Sequence, residues 1–162
     1  MLPMSPEPQF FQFEADFVDS LRCIPMQVRM KLDTCGVKLK LHHWHQLQQD
    51  ERQQLAAMPC DDEATTATYR DYLQALVTQY QGSPAKTLPI ESVPSWHNTA
   101  EIPDQVVERA RQLGCHVSLH QWQALQPLQR FALIKLSRPS HENRNFEPAL
   151  REFGLVGSPP TG

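Results

Sequence analysis

The sequence predicts an all-α protein: a three-helix unit written twice and packed as one domain behind a short extended N-terminal arm. Two observations carry this. Ile24–Leu55 aligns without a gap on Ile102–Leu133 at a constant offset of 78, with identity at 12 of 32 positions. Average composition predicts about two or three such identities. The shared residues include Pro25/Pro103, Gly36/Gly114, His42/His120, Trp44/Trp122, Arg52/Arg130 and Leu55/Leu133. The second observation is helical period within both copies. An internal repeat outranks local signals for fold. It also sorts residues: one present in both copies belongs to the scaffold, and one present in a single copy is a better candidate for function.

Taken in order, Gln9–Val18 spaces Phe11, Phe13, Ala15 and Phe17 two apart, which reads as an extended arm with one buried face. Pro25 suits the start of a helix, where its missing N–H is not needed. Ile24, Val28, Leu32 and Cys35 form one apolar stripe, and Gly36 follows as the left-handed exit. Pro103, the stripe Ile102/Val106/Ala110/Leu113, and Gly114 repeat that grammar. Short connectors lead to Trp44 and Trp122, the predicted core anchors together with Gly36 and Gly114. Ser118 with Gln121 has capping-box spacing; Lys40 stands in place of that serine in the first copy, so its cap should be weaker. The helices should break near Gln49 and Pro127, resume through Arg52–Met58 and Arg130–Leu136, and close at Pro59 and Pro139.

Glu63–Tyr80 reads as a third helix with Tyr69, Tyr72, Leu73, Leu76, Val77 and Tyr80 on a broad face. Its echo at offset 74 is Arg144, Phe146, Ala149 and Leu150, a shorter helix with Asn145 as N-cap and Pro148 in the first turn. The division that follows is one domain over 1–162. Residues 10–81 form the first half with its arm, 82–101 a Pro/Ser-rich linker, 102–154 the second half and 155–162 a disordered tail.

Composition excludes several roles. The chain has 162 residues, 40% hydrophobic and 20% charged, with a net charge of −3, which gives no general attraction to nucleic acid or anionic lipid. No apolar run approaches a membrane span, and the first residues lack the pattern of a signal peptide. The expected location is cytoplasmic. The four cysteines then read as reduced thiols. Cys35 lies on the apolar stripe. Cys23 and Cys60 have no cysteine counterpart in the second copy and are the better candidates for a functional thiol.

His42 and His45 are one helical turn apart and suggest a metal pair, but zinc needs two further ligands and the second copy replaces His45 by Gln123. We therefore assign no metal site. The polar run His141, Glu142, Asn143, Arg144, Asn145 suits either anion contact or capping. No Gly-rich phosphate loop, GxSxG or HExxH is present, which argues against an enzyme.

The segments FFQFEADFVDSLRCIPMQVRMKLDTCGVKLKLHHW (Phe10–Trp44) and LQRFALIKLSRPSHENRNFEPALREFGL (Leu128–Leu155) resemble the nitrate-reductase-associated protein family of cyanobacteria. The resemblance implies a small accessory or assembly factor, a chaperone for maturation of the ferredoxin-linked, molybdopterin- and iron–sulfur-containing assimilatory nitrate reductase. Its implied partner is the nitrate reductase polypeptide. Two alternatives stay open: a small stable accessory subunit, and a regulator with a helix-turn-helix-like segment, which the lack of a basic recognition helix disfavours. The residues expected to meet the partner are Arg22, Cys23, His141, Glu142 and Asn143, which lie outside the shared positions. No catalytic residue and no cofactor of the chain's own are expected.

Overall fold

In the computed structural model the described residues are 10–14, 21–139 and 144–155. Among them the chain is mainly helical: α1 (Met26–Cys35), α2 (Leu41–Gln46), α3 (Gln49–Ala57), α4 (Glu63–Gln81), α5 (Asp104–Gln112), α6 (Leu119–Ala124), α7 (Pro127–Leu136) and α8 (Phe146–Glu152). Two short strands, β1 (Val37–Lys38) and β2 (Lys86–Thr87), pair antiparallel, with Val37 opposite Thr87 and Lys38 opposite Lys86. The chain divides into two compact units, one running from Glu14 to Glu91 and the other from Ser92 onward, the latter with Phe11–Phe13.

The helix starts obey the spacing of the sequence. Helices α1, α2 and α3 begin at Met26, Leu41 and Gln49, and α5, α6 and α7 at Asp104, Leu119 and Pro127, each 78 residues later. Pro25 and Pro103 both sit at the N-cap, one residue outside the helix. Gly36 exits α1 at φ 75°, and Gly114 follows α5 at φ 73°. Leu47 and Leu125 take up ψ of 150° and 153°, which separates α2 from α3 and α6 from α7 at the same point.

The capping chemistry differs between copies as the residues require. Ser118 Oγ accepts the Gln121 N–H, and Gln121 Oε1 accepts the Ser118 N–H. Lys40 has no acceptor to offer. Only the return bond forms there, from Lys40 N–H to His43 Nδ1 at 3.1 Å. Asp62 caps α4 by accepting from the Thr65 N–H at 2.8 Å. That bond holds the Asp62 carboxyl below its usual range.

In the first unit α1 and α4 enclose Val28, Leu32, Trp44, Leu55, Tyr69 and Leu73. In the second, α7 is the central element, packing on α5, α8 and the 3-10 turn Ser95–His97. Phe131, Leu133 and Leu136 from α7 and Phe146 and Leu150 from α8 are fully buried. Asn145 takes the N-cap position of α8 but makes no side-chain capping bond.

Three expectations are corrected. The described part of the Phe-rich arm is one turn of 3-10 helix, Gln12–Glu14, and not an extended run. Phe11 and Phe13 stack on each other, and each meets Phe153 edge-on. The alternation hid a buried acid: Glu14 is 1% exposed, and its Oε1 accepts the N–H of Met26, the first residue of α1. A carboxylate there meets an orphan donor and the positive end of the helix dipole. The second concerns the Pro/Ser-rich linker, which carries structure of its own: β2, the Ser95–His97 turn and a buried Trp96. Gln74 of α4 fixes its entry, bonding both the N–H and the carbonyl of Ala85. The third concerns Leu155, the first residue of the expected tail. It is buried, and its N–H bonds Leu150 O.

Candidate functional site

Arg22 and Cys23 lie on a tight segment leading into α1, and the reason is visible one residue earlier. Leu21 is the sole non-glycine residue with positive φ, at 51°, among the described residues. A leucine held there costs about 1–3 kcal/mol and persists only where its surroundings over-determine it. Four side chains do so. Trp44 Nε1 donates to Leu21 O at 2.7 Å, and Arg52 Nη1 reaches the same carbonyl at 3.5 Å. His45 Nε2 lies 2.8 Å from Arg22 O, so that ring nitrogen carries the proton. Arg29 Nε donates to Ile24 O at 3.1 Å. The result holds Arg22 outward and exposed, with the Cys23 thiol half-buried beside it.

The second unit builds the same clamp from the equivalent residues. Trp122 Nε1 donates to Asn98 O and Gln123 Nε2 to Thr99 O. Arg130 donates to Trp122 O, as Arg52 does to Trp44 O. Both tryptophans are 0% exposed. The clamped segment differs: Asn98 and Thr99 stand where Leu21 and Arg22 do, and neither has positive φ. The strain and the exposed arginine belong to the first unit alone.

His141, Glu142 and Asn143 lie outside the described residues.

The other candidate chemistries are quieter. Among the described residues no group of three His, Cys, Asp or Glu side chains is placed to hold a metal. His43 Nδ1 accepts from Lys40, and His45 Nε2 is spent on Arg22 O, so neither nitrogen is free for an ion. Burial pushes the Cys35 thiol up to about 11. Burial raises Cys60 as well, with the Thr66 hydroxyl opposing. A thiol held protonated is a poor nucleophile, so the reading of Cys60 as a reactive centre loses support.

Sequence reasoning missed several tertiary devices. Lys31 is 7% exposed, and its Nζ donates to Ala56 O at 2.8 Å and Met58 O at 2.6 Å, closing the C-terminal end of α3. Burial lowers its pKa. Arg130 is 5% exposed and bonds three carbonyls, those of Trp96, Trp122 and Leu125. A lysine or arginine in an amphipathic helix gives no signal that its head turns inward to carbonyls. An open groove of about 430 Å³ lies between Gln12, Phe13, Pro148, Arg151 and Glu152. Glu152 is occupied there by the Phe13 N–H, and Arg151 by Glu147.

No helix among the described residues is long and apolar enough to cross a membrane. No curated protein matches the chain, and no solved structure does. A family model described as "conserved nitrate reductase-associated protein" matches residues 10–153. That span covers the strained clamp, both tryptophans and the aromatic contacts of Phe11 and Phe13 with Phe153, and it makes this chain a member of the conserved nitrate reductase-associated protein family.

Proposed function

We propose that the protein is a non-catalytic accessory factor that nitrate reductase needs to reach or keep its active, cofactor-loaded state, and that it works by protein contact in the cytoplasm. The observation that carries this reading is the clamp at Leu21. A fold gains nothing by straining a leucine to hold an arginine in solvent, so the strain is better understood as pre-organising a contact. The second unit has the clamp without the strain, which argues against a purely structural need.

The residues proposed to meet the partner are Arg22 and Cys23, and, outside the described residues, His141, Glu142 and Asn143. A guanidinium on a fixed segment suits a carboxylate on the partner, since the bidentate bond demands correct orientation. The regulator alternative draws no support from the first turn of α3, which carries Asp50 and Glu51 and would repel a phosphate backbone.

The test uses cells lacking the protein and grown on nitrate. The reductase polypeptide should accumulate with low activity, and purified full-length protein added to extract should restore it. Normal specific activity without the protein would overturn the proposal. The stoichiometry of the purified active enzyme then separates a chaperone, which leaves, from a subunit, which stays.

A further inference from the structure

Lys38 and Lys86 stand directly opposite each other in the two-residue ladder of β1 and β2. Directly opposed residues of an antiparallel pair project from the same face with Cβ atoms about 5 Å apart, and like charges in that position are destabilising. Both lysines are exposed. Lys40 follows two residues later along extended backbone, also exposed. Among the described residues none of the three lysines makes an ion pair. This is an unrelieved cluster of positive charge on a chain whose net charge is −3.

Apolar side chains adjoin it. Leu41, the first residue of α2, is 50% exposed, and Ile90 is 58% exposed. Ile90 lies over Gly36: a Cβ there would come within 2.8 Å of Ile90 Cγ1. Gly36 O accepts the Leu88 N–H at 2.7 Å, so the chain beyond β2 runs alongside the start of β1. Among the described residues the second unit has nothing comparable. His116 and Ser118 stand where Lys38 and Lys40 do, and no strand forms there.

We infer that the face formed by Lys38, Lys40 and Lys86, with Leu41 and Ile90 at its edge, is a second interaction surface, and that its occupant is an acidic protein surface presenting Asp and Glu side chains. The charge sets the sign of the partner. The exposed leucine and isoleucine favour a protein over a nucleic acid, whose phosphates offer nothing to an apolar contact. In taking that protein to be the reductase, the inference rests on the accessory role proposed above.

Lysines on a short edge strand also serve to discourage edge-to-edge pairing. The experiment separates the two roles. Amide spectra of the full chain are recorded at low salt with poly-L-glutamate as probe, for the wild type and for the double variant Lys38→Gln/Lys86→Gln. The wild type should shift at 37–42 and 86–90, reversibly with added salt, and the double variant should not. The variant should melt no lower than the wild type, because a repulsion has been removed. Its affinity for purified nitrate reductase should fall about 2- to 30-fold, as expected for two exposed charge contacts.

The inference is overturned if poly-L-glutamate leaves those residues unmoved, if the double variant shifts as the wild type does, or if a single-stranded oligonucleotide of equal charge binds the face more tightly. It is also overturned if the wild type binds the reductase and the double variant binds it equally tightly. A wild type that shifts with poly-L-glutamate but binds no reductase would remove the accessory reading and leave the acidic-partner surface standing.

Discussion

Single residues set the conformation of this protein where the chain must do something a generic sequence would not. Gly36 and Gly114 are the same residue in the two copies, yet they answer to different demands. Both have positive φ, but only at Gly36 would a Cβ meet atoms, the Ile90 side chain and Leu88 O, each at 2.8 Å. Gly114→Ala should therefore cost about 1–2 kcal/mol for the left-handed backbone alone. Gly36→Ala adds an overpacking term of about 1–3 kcal/mol. Urea denaturation of the two variants checks the order. Equal costs would mean that the Gly36 neighbours move aside freely.

Buried titratable groups make stability depend on pH in a predictable direction. The Cys35 thiol has its pKa raised by burial to about 11 from 9.0. Between those values the unfolded chain has released its proton and the folded chain has not. The folded form therefore loses stability as pH rises through that window, by up to about 3 kcal/mol from this group. Tyr69 and Cys60, also raised by burial, act in the same direction. Lys31, lowered by burial, acts in the opposite one. Cys35→Ala should flatten the alkaline side of the melting profile, read by thermal denaturation from neutral pH upward. An unchanged slope would assign the alkaline loss to other groups.

At the scale of elements, the parts legible in the sequence were those written in local chemistry. Proline before and glycine after α1 and α5, the Ser118–Gln121 box, and the break before Pro127 all follow from bonds spanning four residues or fewer. What escaped was written across longer separations. Glu14 caps α1 from twelve residues upstream, and Lys31 closes α3 from 25 residues away. Neither has a periodic signature. The alternating phenylalanines suggested a strand because period two was the only pattern visible in a short run. The turn that forms instead is fixed by contacts with Phe153 and Glu152, far along the chain. The two-residue strand β2 is too short for any period, and its partner β1 is no longer. Of the proposed contact site, the residue types were legible through the repeat, because Arg22 and Cys23 are unshared. The backbone strain that presents them was not, since nothing in a leucine announces positive φ.

The strand pairing makes its own prediction. Lys86→Glu turns a like-charge pair into an opposite-charge one and should stabilise the protein by about 0.2–1 kcal/mol. The gain should shrink at high salt. Thermal melting at two ionic strengths reads both effects, and a loss of stability at low salt would show that the two side chains do not face each other across the ladder. The helix caps give a parallel test: Ser118→Ala should cost about 0.5–2 kcal/mol, whereas Lys40→Ala should cost little, because Lys40 contributes only its backbone N–H to the turn.

For the whole molecule, the repeated elements divide labour with the residues they do not share. Equivalent helices, tryptophans and arginines build the scaffold of each unit. The strained Leu21, the exposed Arg22 and the lysine cluster occur in the first unit only. The chain belongs to the conserved nitrate reductase-associated protein family, and we take the unshared residues of the first unit to be its proposed means of contact with a protein partner. The most direct measurement compares Arg22→Ala, Cys23→Ser and His141→Ala, singly, with Trp122→Phe, which keeps an aromatic side chain but loses part of its volume and the indole N–H that bonds Asn98 O. Each is tested for melting temperature and for nitrate reductase activity in cells lacking the native protein. The account predicts that the first three lose activity at unchanged melting temperature, while Trp122→Phe loses stability and activity together. Activity that follows melting temperature across all four variants would contradict it and return Arg22 and Cys23 to the scaffold.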